Sequence, residues 1–275
     1  MAGIATSGAP VPAAESPVHV RVVGLKKRYG AHEVLRDVTF DVLRGKTNVV
    51  IGASGSGKTV MMRQLIRLEK PDAGRIEVDG LDIAPLSEVE LLPVRRKFGM
   101  VFQMSALFDS MSVYENVAFP LREHTRLRER AIRDKVVDRL RALGVEHAIA
   151  KMPSELSGGM KKRVAVARAL VLEPEILIYD EPTTGLDPIT SRTVDDLIEE
   201  TRERFGVTSV VISHDMTSVF RIGHRISYLY KGRIEASGAA REFLASPSPR
   251  LREFLEATGM DPANLVRIAE AAHRV

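Results

Sequence analysis

The chain has 275 residues, of which 44% are hydrophobic and 28% charged. That length and composition suit one large α/β domain, or one with a subdomain, and argue against disorder. It has no cysteine, which excludes disulfides, thiolate metal sites and cysteine nucleophiles. The net charge of +4 is a mild basic excess that fits a nucleotide, an anionic membrane surface or nucleic acid, and selects none of them.

Residues 1–17, MAGIATSGAPVPAAESP, lack a basic start and a continuous apolar core, so a flexible tail is expected rather than a signal peptide. No apolar run approaches the roughly 18–20 residues that span a bilayer. A cytoplasmic protein is therefore expected, with any membrane role exercised through a partner.

From Val18 the pattern is strand-like in VHVRVVGL, and VTFDV (38–42) alternates. TNVVIGA (47–53) is a continuous apolar run, as for a strand buried on both faces. The helix after it places Met61, Leu65 and Leu68 on one face and stops near Pro71. RIEVDGLDI predicts two short strands about an Asp79-Gly80 turn. Ser87 and Glu90 have the spacing of a capping box.

FGMVFQ (98–103) reads as another buried strand, and residues 104–160 as helical, with Ile132, Val136, Leu140 and Leu143 as one stripe. The arginines around that stripe (Arg126, Arg128, Arg130, Arg133, Arg139, Arg141) are interleaved with acids and carry no aromatics. They predict a solvated face rather than a nucleic-acid surface. EILIYDE (175–181) and SVVISHD (209–215) predict two more buried strands, separated by a helix bearing Val194, Leu197, Ile198 and Phe205 and closed by Gly206. ISYLYKGRIEASG reads as a hairpin about Lys231-Gly232. Beyond about Ser246, Leu251, Phe254, Leu255, Leu265 and Ile268 mark short amphipathic helices.

Gly52-Ala53-Ser54-Gly55-Ser56-Gly57-Lys58-Thr59 matches G-x-x-x-x-G-K-[ST] between a buried strand and a helix. Its backbone N–H groups and the helix N-terminus form a phosphate cradle. Lys58 would reach the β- and γ-phosphates, and the Thr59 hydroxyl would ligate Mg²⁺. A chance glycine-rich turn is the alternative, and the strand–turn–helix context argues against it. Asp180 ends an apolar strand where a carboxylate can hold Mg²⁺ through water, and Glu181 beside it can polarise the attacking water. The alternative is an Asp-Glu pair capping the next helix. Gln103 and His214 each end a strand as well. Either alone could be an ordinary polar terminus. With the P-loop and Asp180-Glu181 they converge on one edge of a parallel sheet, Gln103 toward metal or water and His214 toward a γ-phosphate.

These segments, in order, resemble an ABC transporter ATPase subunit: GASGSGKT, Gln103 in VFQ, LSGGM, ILIYDEP, GLDP and VISHD. The resemblance implies an α/β P-loop NTPase fold, a RecA-like core with an antiparallel β-subdomain and an inserted α-helical subdomain. Residues 1–17 would be the tail, 18–245 the ATPase domain with its helical part at about 104–160, and 246–275 a C-terminal helical extension. It implies ATP and Mg²⁺ as cofactors, Tyr29 stacking on adenine (a core aromatic being the even alternative) and Asp187 signalling across a dimer. It also implies that Ser157, Gly158 and Gly159 close on ATP held by the opposite subunit, so that two copies work head to tail.

Met160 stands where the family's signature usually has Gln. With MPSELSGGM, DEPTTGLDPIT and ALFDSMSVYENVAFPLREHT it narrows the likeness to ATPases of the MlaF and Mkl type. Those energise phospholipid and other hydrophobic-substrate transport built around MCE (mammalian-cell-entry) proteins. That implies a permease, an MCE-domain protein and in some members a STAS-domain protein as partners, no nucleic acid, and a place on the cytoplasmic face of the inner membrane. Residues 104–114 are the candidate groove for the permease. An ATPase of a polar-solute importer or an exporter is the alternative.

Overall fold

The structure is a computed structural model and describes residues 17–103 and 105–272. The N-terminal tail and Met104, the first residue of the expected permease groove, lie outside the described residues. Among the described residues, ten strands form one sheet in the order β5-β4-β1-β2-β10-β9-β3-β8-β7-β6. β1 (Val18–Tyr29), β2 (His32–Leu43), β4 (Ala73–Val78) and β5 (Leu81–Asp82) pair antiparallel. β3 (Thr47–Ile51), β6 (Phe98–Val101), β7 (Ile176–Asp180), β8 (Thr208–Ile212) and β9 (Arg225–Tyr230) run parallel, and β10 (Arg233–Gly238) folds back on β9. The two halves join where Arg233 of β10 pairs with Asp37 of β2.

The apolar runs become central strands because both faces are covered. Leu177, Tyr179 and Val211 enter one core, while Ile176, Ile178, Val210 and Ile212 enter the other, with the period-two alternation of a strand. Each such fully buried side chain contributes roughly 1.5–3 kcal/mol. The first core is roofed by α3 (Val113–His124), α4 (Glu129–Ala142), α5 (Gly158–Leu170), α6 (Pro188–Phe205) and α7 (Met216–Ile222). α8 (Ala240–Leu244), α9 (Pro249–Thr258) and α10 (Pro262–Ala272) extend it, burying Leu251, Leu255 and Leu265. The second core is closed by α1 (Lys58–Leu65), α2 (Glu88–Arg95) and the antiparallel strands. Ile132, Val136, Leu140 and Leu143 are buried as their spacing predicts.

The turns follow their chemistry. Asp79 and Gly80 both have positive φ (51° and 80°), as do Lys231 and Gly232 (43° and 77°), which matches the twist of a two-residue hairpin. Ser87 and Glu90 form the expected capping box. Two expectations fail. FGMVFQ (98–103) is not a fully buried strand: β6 is the sheet's edge strand, ends at Val101 and leaves Phe102 41% exposed. And α1 ends at Leu65, with Leu68 60% exposed rather than on its buried face. The chain leaves the helix through Arg67, at φ 52°, whose guanidinium donates to the Ile83 carbonyl.

A part-buried charge cluster ties the antiparallel strands to the parallel ones. The Thr208 hydroxyl accepts from the Gly45 N–H and lies 2.7 Å from Nδ1 of buried His19. Nε2 of His19 lies 3.3 Å from a carboxylate oxygen of Glu175. Asp79 pairs with Arg44 and Lys97. His19, Asp79 and Glu175 have the spacing of metal ligands, but these two cations already neutralise the carboxylates.

Candidate nucleotide site

β3, β8, β7 and β6 are consecutive neighbours, all parallel, and their ends are level: Val50 and Asp180 both pair with Ile212, and Val101 with Tyr179. The segments that leave them are therefore set side by side. They are the P-loop after β3, His214 after β8, Glu181 after β7 and Gln103 after β6. This is the edge on which open α/β sheets bind ligands.

At two of its glycines the P-loop has room for backbone only. A Cβ on Gly52 would lie 2.4 Å from the Leu229 carbonyl oxygen, and one on Gly57 would lie 2.8 Å from Leu35 Cδ2. Gly57 is the N-cap of α1 at φ 105° and caps no N–H with a side chain. The Ser56 hydroxyl is buried without a hydrogen-bond partner. Uncapped N–H groups, an orphan hydroxyl and a lysine at one helix start are what a polyphosphate would satisfy. The Lys58 ammonium donates to the carbonyls of Gly52 (2.8 Å) and Ala53 (3.2 Å) and lies 3.9 Å from Glu181. Burial pushes its pKa down, against the pull of Glu181 and Asp180.

Glu181 has φ 50°, an uncommon conformation for a residue with a side chain. Its N–H donates to the Ile212 carbonyl, which turns the side chain out over the sheet edge. Oε2 accepts from His214 Nδ1 (2.7 Å) and from the Thr184 hydroxyl (2.9 Å). Thr184 is not among the residues singled out from the sequence, because its contact with Glu181 depends on the turn of the folded chain. Asp180 is half-buried, and burial together with Glu181 raises its pKa while Lys58 and Arg63 oppose the rise. Asp180 with the Thr59 hydroxyl and the exposed Gln103 amide offers hard oxygen donors of the kind Mg²⁺ takes. A cation there would relieve the repulsion between the two carboxylates.

Tyr29 is 46% exposed, which removes the core-aromatic alternative. Its hydroxyl donates to Glu69, itself paired with Arg63, and this raises the Tyr29 pKa to about 12. It ends the β1–β2 hairpin whose Val34 and Leu35 press on Gly57. Asp187 caps α6, accepting from the N–H groups of Ile189 (2.9 Å) and Thr190 (3.0 Å).

Ser157, Gly158 and Gly159 head α5. The Ser157 hydroxyl accepts from the Met160 N–H, and nothing lies within 4 Å of where a Cβ on either glycine would sit. Met160 packs partly buried on the first core. The structure thus gathers the P-loop, Glu181 and His214 by direct contact. Asp180 and Gln103 join them by strand register, and the head of α5 faces open space.

The ABC transporter family model matches residues 35–184. The chain belongs to the ABC transporter family. This cassette is 42% identical over 229 residues to the Escherichia coli K12 intermembrane phospholipid transport system ATP-binding protein MlaF, covering 83% of this chain and 85% of that one. It is 38% identical over 248 residues to the Mycobacterium leprae probable ribonucleotide transport ATP-binding protein mkl, covering 90% and 72%. Its fold matches the dimeric cassette MJ0796 at TM-score 0.71 and 32% identity, covering 80% of this chain and 98% of that one. The same cassette in a post-hydrolysis state bound to ADP and Pi matches at 0.70. The cassette is an ATPase of a transport complex. No helix among the described residues is long and apolar enough to cross a membrane.

Proposed function

We propose that two copies of this cassette clamp two ATP molecules head to tail and so drive phospholipid transport through an integral-membrane permease, with an MCE-domain protein as its lipid-handling partner. The observation that carries the ATPase chemistry is the contact of Glu181 with both His214 and Thr184 at the edge that holds the P-loop. The phospholipid assignment rests on the likeness to the MlaF protein and on MPSELSGGM and PLREHT.

Gly52, Ala53, Ser54, Gly55, Ser56 and Gly57 supply the phosphate cradle, with Lys58 as its cation. Thr59, Asp180 and Gln103 would hold Mg²⁺, which when bound supplies charge to offset that of the phosphates. Two donors on Oε2 leave Oε1 of Glu181 as the oxygen that takes a proton from the attacking water. His214 both fixes that carboxylate and faces the terminal phosphate. Ser157, Gly158 and Gly159 reach the ATP of the other copy, Asp187 sits where the subunits meet, and Tyr29 stacks on adenine. A STAS-domain protein is a further partner of this reading, and the assembly would sit on the cytoplasmic face of the inner membrane.

Glu181→Gln keeps the size and the hydrogen bond but removes the base. It is expected to lower phosphate release by about 10²–10⁴-fold, while ATP traps the dimer in size-exclusion chromatography. Turnover at the wild-type rate would remove Glu181 as the base. The name of the mycobacterial relative supports a second reading, a polar-solute system. Purification from native membranes in mild detergent separates the two: a co-purifying MCE-domain protein with enriched phospholipid supports the first, and a solute-binding protein with an unrelated permease the second.

A further inference from the structure

Tyr29 ends β1 as an exposed aromatic ring, and an exposed side chain samples several rotamers. Ordering it when a ligand binds costs affinity, so a ring held beforehand binds better. The structure holds this one at its rim. The Tyr29 hydroxyl donates to Glu69, and the bond raises the Tyr29 pKa to about 12 while lowering that of Glu69. At neutral pH the phenol keeps its proton and the carboxylate its charge, which is the strong form of such a hydrogen bond. Lys27 Nζ stands 5.6 Å from the centre of the same ring.

Glu69 is fixed in its turn by α1. Its N–H donates to the Arg63 carbonyl (3.4 Å), and its Oε1 accepts from the Arg63 guanidinium (3.2 Å). The strand is secured to the same segment by other contacts. Asp72 accepts from the Arg28 N–H (2.7 Å) and from Lys27 Nζ (3.1 Å), and its own N–H donates to the Lys26 carbonyl (3.0 Å). Lys27 Nζ also donates to the Lys70 carbonyl (2.8 Å). With the backbone so held, what the bond between Tyr29 and Glu69 adds is the direction of the ring.

Stacking by itself accepts any base, because every base has a π face. What it requires is a ring that stands in the right place relative to the phosphates. α1 carries Lys58 and Thr59 at its head, and Arg63, which grips Glu69, in its last turn. We propose that Glu69 is a positioning residue for the nucleobase: through the Tyr29 hydroxyl it sets the ring for stacking on adenine before ATP arrives, at a place that α1 fixes relative to the phosphate cradle. Glu69 acts only through Tyr29. The inference rests on the stacking of Tyr29 on adenine proposed above.

The test titrates ADP and inorganic pyrophosphate, each with Mg²⁺, into the full chain by calorimetry. Pyrophosphate lacks the base and so reports the cradle alone. Wild type is compared with Glu69→Ala, Glu69→Gln, Tyr29→Phe, Tyr29→Ala and the double variant Tyr29→Phe/Glu69→Ala, each with its melting temperature. Glu69→Ala and Tyr29→Phe are each expected to weaken ADP binding about 3–10-fold, with pyrophosphate affinity and melting temperature kept. Glu69→Ala should raise KM for ATP by the same factor and leave kcat alone. Glu69→Gln still accepts from the hydroxyl and should recover most of the loss. The double variant should be no weaker than either single one, because both remove the same bond. Effects that add would overturn the proposal, as would equal losses for ADP and pyrophosphate. If Glu69→Ala melts early, Tyr29→Phe decides by the same comparison of the two ligands. Tyr29→Ala removes the ring and should cost ADP about 10-fold or more. Should that loss appear while both single variants bind ADP as wild type does, Glu69 has no part in positioning. A Tyr29→Ala variant that binds ADP like wild type would instead end the stacking reading itself.

Discussion

Helices α1 and α5 both begin on glycine, and the reasons differ. At α1 the glycine answers to its own subunit: Gly57 has a left-handed φ of 105°, and Leu35 occupies the space a Cβ would need. At α5 the fold makes no such demand. Gly158 and Gly159 have no positive φ and nothing within 4 Å, and Ser157 already caps the helix. Alanine there would favour the helix. A glycine that its own subunit does not require is accounted for by something that approaches from outside. In the head-to-tail dimer proposed above, these are the two ends of one composite ATP site, told apart within a single copy.

Substitutions sharpen that contrast. Gly57→Ala should have the largest effect, costing about 1–3 kcal/mol in denaturant unfolding and abolishing binding of a fluorescent ATP analogue. Unchanged binding would mean that the P-loop geometry is not set by this residue. Gly159→Ala should separate stability from function: folding is unchanged or gains up to about 1 kcal/mol, while ATP-driven dimerisation and phosphate release collapse. Were stability and activity to fall together, the glycine would be serving its own fold after all. Ser157→Ala removes the cap on the Met160 N–H and is expected to cost about 1 kcal/mol, read as a shift in melting temperature. Met160→Gln should matter least. The side chain lies partly buried against the first core, so a change under about 1.5 kcal/mol with unaltered turnover is expected. A large gain in turnover would show that the signature's usual amide takes part in phosphate contact.

Much of this was legible in the chain. The central strands announced themselves as apolar runs, because a strand covered on both faces has no solvent side to mark with polar residues. The hairpin turns and the caps at Ser87 and Gly206 were legible because they depend on residues close in sequence. Leu68 was misread for the same reason: periodicity cannot see Arg67 leaving the helix to reach the Ile83 carbonyl sixteen residues on. Thr184 on Glu181 carries little sequence signal of its own. A threonine after an acid is ordinary until the fold turns the acid toward it.

By itself the sequence determined which segments are the candidates for chemistry: the phosphate loop, the carboxylate pair, the strand-end histidine and glutamine, and the glycine-headed helix. Each is written within a few consecutive residues, because backbone conformation and side-chain type act locally. Only the tertiary structure decided their order along one edge, since the sequence of neighbours β3, β8, β7, β6 is a matter of crossover connections. It alone turned Glu181 toward His214, exposed Tyr29 and left the head of α5 facing outward. These depend on which surfaces are buried against which, and burial is a property of the packed whole.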